Sequence, residues 1–370
     1  MTPELPRSIT LFCRVIDNYG DAGVCWRLCR QLAREHGIAA NLVIDRLDVL
    51  KKLVPAIDPA LNRQEFDGVS LLAWREEGVE DDDPELVIEA FACTIPEAYQ
   101  RAMSKRRPAP LWINLEYLSA EPWAETQHLM GSVHPQLGLA KTFFFPGFSA
   151  RSGGLIRERG VTVPEFAAAD RQFGRPLKVF LFAYDRAPRE PLFAAMRNHG
   201  RQVRVCEVLR EGAGDATQAW RNSREGVFTE APGFQIIGQD FVAQSSFDAV
   251  LADQDLLFVR GEDSLVRAIW SGKPFIWQLY PQAGDAHLPK LEAFLECYCE
   301  RLDPGAAGAL RGLMRAWNRT GEQDFLPLWR EFLIQFSRIE RHAHDWARRQ
   351  AQLPDLASNL LSFFRKNARI

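Results

Sequence analysis

Apolar positions change period twice within the first fifty residues. Ile9 to Ile16 is dense in Ile, Leu, Phe and Val, which predicts a buried strand. The run Asp17, Asn18, Tyr19, Gly20, Asp21, Ala22 and Gly23 follows, rich in turn formers. Cys25, Leu28, Cys29, Leu32 and Ala33 then recur at i, i+3, i+4, i+7 and i+8, the stripe of one helix face. Arg27, Arg30, Gln31 and Arg34 fall elsewhere on the wheel. Gly37 stands just past the stripe, where a left-handed residue commonly ends a helix. Asn41 to Ile44 predicts a second strand. Strand, loop, helix and strand make a βαβ unit, which favours a parallel sheet.

Further strands are predicted at Val69 to Leu72, Leu86 to Ala90, Leu111 to Leu115 and Thr142 to Phe145, with the acidic run Glu76 to Glu85 as a solvated connection. A second series opens after Pro176. It has a strand at Leu177 to Phe182, a helix at Glu190 to Asn198, and strands at Val203 to Val208 and Leu256 to Val259. A helix from about Ser264 to Trp270 stops at Gly272, and Pro274 to Trp277 starts another strand. The polar segment Gly160 to Arg175 reads as a linker. Leu353, Leu356, Leu360 and Phe364 line one helical face near the end of the chain.

At 370 residues the chain is long enough for two or three domains, at about 150 residues each. Its 46% apolar and 25% charged residues are the balance of an ordinary globular protein. A net charge of -3 gives no electrostatic case for nucleic acid as partner. The basic run Lys105, Arg106 and Arg107 is short and reads as a solvated turn before Pro108. The seven cysteines have neither paired CxxC elements nor zinc spacing with histidine. Cys25 and Cys29, one helical turn apart, read as core; Cys297 and Cys299 flank Tyr298 without a functional reading. Scattered reduced thiols fit a cytoplasmic protein. The opening residues lack a basic segment followed by a long apolar run, so no signal peptide is expected. No stretch reaches about 18 uninterrupted apolar residues, so no membrane span is expected.

Three groups of residues bear chemistry. Asp17 and Asp21 flank Gly20 at the carboxyl end of the first strand, where open parallel sheets place ligands. One carboxylate there can act as base while the other orients the loop. Gly20 and Gly23 allow tight turns or close approach to a ligand. The same residues also suit an Asx turn capping the helix. In the second group, Phe258 to Ser264 runs from strand through Gly261 into a helix, with Asp263 or Ser264 as N-cap. The helix N-terminus suits a diphosphate, with Arg260 neutralising charge and Glu262 accepting from sugar hydroxyls. An ordinary capped helix has the same pattern. The third group is aromatic: Phe182 and Tyr184, then Phe241 and Phe247 around Gln244. Rings of this kind sandwich a nucleobase or simply fill a core, and an amide reads a base edge. His134 and His287 have no partner at metal-binding spacing and read as structural.

The segments Val15 to Val24 (VIDNYGDAGV), Asn114 to Glu121 (NLEYLSAE), Phe143 to Phe148 (FFFPGF) and Arg260 to Ser264 (RGEDS) occur in this order over most of the chain. Together they resemble the EarP family, the arginine rhamnosyltransferases of bacterial elongation factor P. The resemblance implies an α/β GT-B fold, two Rossmann-like domains facing across a cleft. Residues 1–160 would bind the acceptor and 175–345 the nucleotide sugar, with a helix in 346–370 packing back on the first domain. It implies dTDP-β-L-rhamnose as donor and elongation factor P as partner. It further implies inversion, no metal or other cofactor, and a role in translating polyproline stretches. Asp17 and Asp21 would be catalytic, Asp21 as general base, supported by Asn18, Tyr19 and Gly20. Phe182, Tyr184, Phe241, Gln244, Phe247, Arg260, Gly261, Glu262, Asp263 and Ser264 would contact the donor. The alternatives are a transferase or epimerase using another sugar nucleotide, or a non-catalytic protein that binds elongation factor P.

Overall fold

The computed structural model describes residues 5–17, 19–77, 79, 82–166, 175–208, 227–231, 233–319, 321 and 323–368. The chain divides into two units, Met1–Val161 with Gln350–Ile370, and Thr162–Arg349.

The first unit runs β1 (Ser8–Cys13), α1 (Tyr19–His36), β2 (Ala39–Ile44), α2 (Leu47–Leu53), β3 (Arg63–Phe66), β4 (Val69–Ala73), β5 (Leu86–Ala90), α3 (Glu97–Lys105), β6 (Leu111–Leu115), α4 (Pro122–Gln127), β7 (Gly131–Val133) and β8 (Ala140–Phe144). Its strands lie in the order β3-β4-β2-β1-β5-β6-β8-β7. Pairing is parallel from β4 to β8, and the edge strands β3 and β7 are antiparallel. The second unit runs β9 (Leu177–Leu181), α5 (Arg189–Asn198), β10 (Val203–Val208), β11 (Val227–Ala231), β12 (Phe234–Gln239), α6 (Gln244–Ala252), β13 (Leu256–Arg260), α7 (Gly261–Trp270) and β14 (Phe275–Gln278). Helices α8 (Leu288–Cys299), α9 (Pro304–Asn318), α10 (Phe325–Ile334) and α11 (Phe336–Gln350) follow, and α12 (Leu356–Asn367) belongs to the first unit. Among the described residues its sheet has the order β11-β12-β10-β9-β13-β14, parallel except at β11.

Each unit begins with a strand that ends up inside its sheet. β1 lies between β2 and β5, and β9 between β10 and β13. The strand order reverses there, so the loops leaving β1, β5, β9 and β13 border the crevices in which such sheets hold ligands.

The apolar stripe of α1 is buried as expected, with Cys25, Leu28, Cys29 and Leu32 fully covered. Burial pushes the Cys25 thiol well above its ordinary range, and neighbouring Cys13 adds to the shift. The polar flank of α1 is buried too. Arg27 makes a bidentate pair with Glu158 at 2.7 Å, and Gln31 donates to the Arg157 carbonyl at 2.8 Å. The returning chain covers this flank, which a helical wheel of α1 alone cannot show.

Several expectations are corrected. The first strand stops at Cys13 rather than Ile16. Ile16 is 62% exposed, and the Val15 N–H donates to the Asp45 side chain instead of a strand. The helix starts at Tyr19, inside the presumed turn, so Gly20 and Gly23 are helical. The acidic run is not simply solvated. Asp82 is buried and accepts from Thr10 Oγ1 at 2.7 Å, Asn41 Nδ2 at 3.0 Å and the Tyr99 hydroxyl. Arg106, read as solvated, donates to the Asp82 carbonyl and pairs with Asp83 at 3.1 Å. Leu353 precedes its helix, because Pro354 intervenes and Asp355 caps Ser358.

The last helix packs within the first unit. Leu356 N–H donates to the Leu155 carbonyl, and Asn359 Nδ2 to the Gly153 carbonyl. A Cβ on Gly154 would lie 2.5 Å from the Pro354 carbonyl oxygen, so only glycine admits this return. Among the described residues, no helix is long and apolar enough to cross a membrane.

Candidate functional site

The loop after β9 and the turn from β13 into α7 meet around one guanidinium. Arg260 ends β13, is 5% exposed, and lies over the rings of Phe182 and Tyr184 at 4.4 and 4.5 Å from their centroids. Such cation–π contacts contribute about 0.5–2 kcal/mol, most where water is excluded. Phe182 also meets Phe241 and Phe247 edge-on, both at 6.1 Å. Gln244, the first residue of α6, donates Nε2 to Asp263 Oδ2 at 3.1 Å. The structure therefore gathers the aromatic group and the Arg260–Ser264 turn at the carboxyl end of one sheet. Phe182 and Phe247 are nearly covered, whereas Phe241 is half-buried.

The start of α7 corrects the sequence reading. The helix begins at Gly261, three residues early, and Arg260 is its N-cap, with no side-chain cap. Gly261 has φ +61°, a left-handed value that turns an extended strand straight into a helix. Ser264 is used inside the turn: its Oγ accepts from the Arg260 N–H at 3.1 Å, and its hydroxyl donates to the Arg260 carbonyl. Trp277 Nε1 donates to the Gly261 carbonyl at 2.7 Å and fixes the peptide from behind. The two acidic residues of the first turn are matched by cations. Glu262 Oε1 accepts from Lys290 at 2.8 Å, and Asp263 Oδ2 faces Arg267 Nε at 3.4 Å.

Residues outside the predicted set hold the rest of this end. Gln278 Oε1 accepts from the Tyr184 N–H at 2.8 Å. Arg189 donates to the carbonyls of Tyr184 and Asp185 at 3.0 and 3.1 Å and to Glu207 at 2.8 Å. Burial pushes the Glu207 carboxyl up, and the Arg189 charge holds it partly down. Gln278 carried a readable signal, a polar residue at the carboxyl end of an apolar strand. Arg189 and Lys290 carried none: Arg189 reads as an ordinary first-turn helix residue although it reaches back to its own preceding loop, and Lys290 acts on a turn 28 residues away.

In the first unit, Asp21 sits in the opening turn of α1 and is 2% exposed. Its Oδ2 accepts from the backbone N–H groups of Ile16 at 2.7 Å and Asp17 at 2.8 Å, closing the β1–α1 loop. Asp17 is half-buried, and its carbonyl accepts from the Gly20 N–H at 2.7 Å. A Cβ on Gly20 would lie 2.7 Å from Asp17 Oδ2, so the glycine makes room for this carboxylate rather than for a ligand. Tyr19 is half-buried at the helix start, and Asn18 lies outside the described residues. His134 Nδ1 accepts from the N–H groups of Gln136 and Leu137. His287 Nδ1 accepts from the Gln282 N–H. Both rings shape loops. Among the described residues, no group of three His, Cys, Asp or Glu side chains is placed to hold a metal ion.

The model of a family described as elongation-factor-P (EF-P) rhamnosyltransferase EarP matches residues 9–365. The chain is 40% identical over 374 residues to a protein-arginine rhamnosyltransferase of Pseudomonas aeruginosa, covering 96% of this chain and 98% of the relative. A solved structure concerned with EarP-mediated arginine glycosylation of translation elongation factor EF-P aligns with a TM-score of 0.64 at 28% identity. It covers 97% of this chain and 99% of its own. MurG of Acinetobacter baumannii, at 13% identity, shares the fold alone, with a TM-score of 0.52 over 97% of this chain and 99% of that one. The pair of doubly wound α/β units is thus the GT-B glycosyltransferase arrangement of two Rossmann-like domains.

Proposed function

The chain belongs to the EarP family of elongation-factor-P rhamnosyltransferases, and from that premise we propose that it transfers L-rhamnose from dTDP-β-L-rhamnose to an arginine of elongation factor P with inversion. The observation that carries this reading is the placement of the two candidate groups. Asp17 and Asp21 follow the first strand of one unit, and the Arg260 aromatic cluster lies at the strand ends of the other. Both are switch points of parallel sheets, where ligands are held.

On this reading, residues 162–349 bind the donor. Phe241 and Phe247 pack against the thymine, and Gln244, held by Asp263, reads its edge. Arg260 and the first N–H groups of α7 receive the diphosphate. Glu262, steadied by Lys290, accepts from rhamnose hydroxyls. Tyr184 and Phe182 keep Arg260 flat, and Ser264 and Gly261 fix the turn that aims it.

The acceptor is a guanidinium, protonated at cellular pH and a weak nucleophile. A carboxylate must orient one nitrogen and take its proton as the bond forms. We assign this to Asp21, with Asp17 orienting the acceptor. The N–C1 bond forms as the C1–O bond to the diphosphate breaks, the proton passes to Asp21, and dTDP departs toward Arg260. One displacement on an oxocarbenium-like carbon turns a β-linked donor into an α-linked product. Charge on the leaving group is met by Arg260 and helix N–H groups, so we expect no requirement for a divalent cation.

The test is to incubate the protein with dTDP-β-L-rhamnose and elongation factor P, with and without excess EDTA. We expect one rhamnosyl unit on an arginine by intact and tandem mass spectrometry, and an α anomer by NMR. Transfer only from another sugar nucleotide would refute the donor. A β-linked product would refute single displacement. Activity lost in EDTA and restored by Mg²⁺ or Mn²⁺ would refute the Arg260 role.

A further inference from the structure

One segment of the first unit is held in a backbone conformation that its residues disfavour. Directly after β5, Phe91, Ala92 and Thr94 have φ of +57°, +51° and +50°. None is glycine, and Thr94 is β-branched, the type that least tolerates left-handed backbone. Strain of this kind persists only where the surroundings impose it, and it concentrates at functional sites. Here each link of the turn is tied down. Phe91 N–H donates to the Leu115 carbonyl at 2.7 Å, and Ala92 N–H to Asn114 Oδ1 at 3.3 Å. Cys93 Sγ donates to the Phe12 carbonyl of β1 at 3.4 Å, and Thr94 N–H to Glu89 Oε1 at 3.2 Å. Glu89, buried at the end of β5, is in turn paired with Lys141 at 3.1 Å.

The effect of this bracing is felt on the next strand. Asn114 is buried, and while its Oδ1 holds the turn its Nδ2 donates to Glu116 Oε1 at 2.6 Å. The Phe91 ring stacks on Tyr117, with centroids 4.5 Å apart and planes 16° from parallel. Glu116 and Tyr117 are both half-buried. The turn therefore braces a carboxylate and an aromatic ring on consecutive residues. It does so at the ends of β5 and β6, next to the end of β1 that leads to Asp17 and Asp21.

We infer that Glu116 and Tyr117 form the binding site for the acceptor's guanidinium, framed by Asn114 and the strained turn 91–94. The assignment rests on the reading of this chain as an arginine transferase. A guanidinium has two recognition surfaces, an edge of N–H donors that pairs with a carboxylate and a flat face that stacks on an aromatic ring. Glu116 matches the edge and Tyr117 the face. In this assignment Glu116 keeps its pairing with the edge of the cation through the reaction, and the nitrogen that attacks gives its proton to the separate carboxylate assigned above as base. Glu116 thus binds, and Asp21 keeps the proton transfer.

The test measures steady-state transfer with acceptor and donor varied separately, for wild type, Glu116→Gln and Tyr117→Leu. Glutamine keeps the bond from Asn114, and leucine keeps apolar packing on Phe91; melting curves confirm the fold. We expect KM for elongation factor P to rise about ten-fold or more in each variant, as for loss of one charge-assisted or stacking contact. KM for the donor should stay within about two-fold, and Glu116→Asp should recover part of the loss. An unchanged acceptor KM, or a fall in kcat alone, overturns the assignment. Absence of transfer by the wild type would instead overturn the arginine-transferase reading, and this assignment with it.

Discussion

Asp21 closes its own loop and is also the proposed base. Its Oδ2 takes the N–H groups of Ile16 and Asp17, which fixes both the loop and the carboxylate that is proposed to remove the acceptor's proton. Asparagine has nearly the same shape and an oxygen that can keep both N–H bonds, but it cannot take a proton. Asp21→Asn should therefore slow transfer by about 10²–10⁴-fold, the range of a lost general base. Donor affinity, measured by calorimetry, should remain within about two-fold. Asp21→Ala should in addition lower the melting temperature, since the part-buried Ile16 and Asp17 N–H groups lose their charged acceptor, and a hydrogen bond to a charged group is worth about 1.5–3 kcal/mol. A donor affinity that falls in parallel with the rate in Asp21→Asn would remove the base assignment. At this scale the sequence conveyed residue type but not company. Asp82 reads as one more acid in a solvated run, yet Thr10, Asn41 and Tyr99 reach it from three distant segments. The partners of Asn114 and Glu116 were hidden in the same way, inside a motif whose pattern was visible.

Elements were legible wherever the apolar pattern is local. The buried strands and the stripe of α1 follow from period alone, and Gly37 and Gly272 mark helix ends with φ of +68° and +66°. The helix beginnings were misread, at α1 and at α7, for a shared physical reason. Sequence rules look for a side-chain oxygen at the N-cap. Here Asp21 reaches backward from inside the helix, and Gly261 replaces the cap with a left-handed turn. Both features lie on loops at the carboxyl ends of switch-point strands. Gly261→Ala should then have two effects. A left-handed alanine costs about 1–2 kcal/mol, a loss visible in the melting curve, and the first turn of α7 should shift enough to weaken dTDP-rhamnose binding several-fold. Gly272→Ala, at the other end of the same helix, is the control. It carries the same backbone penalty, and its Cβ would also crowd Val163 at 3.3 Å. Its melting temperature should fall at least as far while donor affinity stays unchanged. Equal losses of donor affinity in both variants would show that the Gly261 turn has no special part in holding the diphosphate.

At the scale of the whole chain, non-sequential strand order decides where chemistry can occur. The βαβ pattern implied a parallel sheet, but it did not say that β5 returns beside β1, or β13 beside β9. Only that order puts the 91–94 turn next to the Asp17 loop, and Arg260 next to Phe182 and Tyr184. On the proposed reading the two substrates go to different units, a division that hydrogen exchange tests directly. An amide that is hydrogen-bonded or covered by a ligand opens less often and exchanges more slowly. With dTDP-β-L-rhamnose alone, protection should appear at 182–184, 241–247 and 260–264, all within Thr162–Arg349. With elongation factor P alone, it should appear in the loops after β1, β5 and β6, at 14–21, 91–94 and 116–118, all within the first unit. The α12 helix should be silent toward both, because its contacts with Leu155 and Gly153 are already made in the free protein. Nucleotide-sugar protection at 14–21 with none at 260–264 would reverse the proposed roles of the two units. The Arg260 cluster would then have to be read as the hydrophobic core of its sheet, with its cation buried for packing alone.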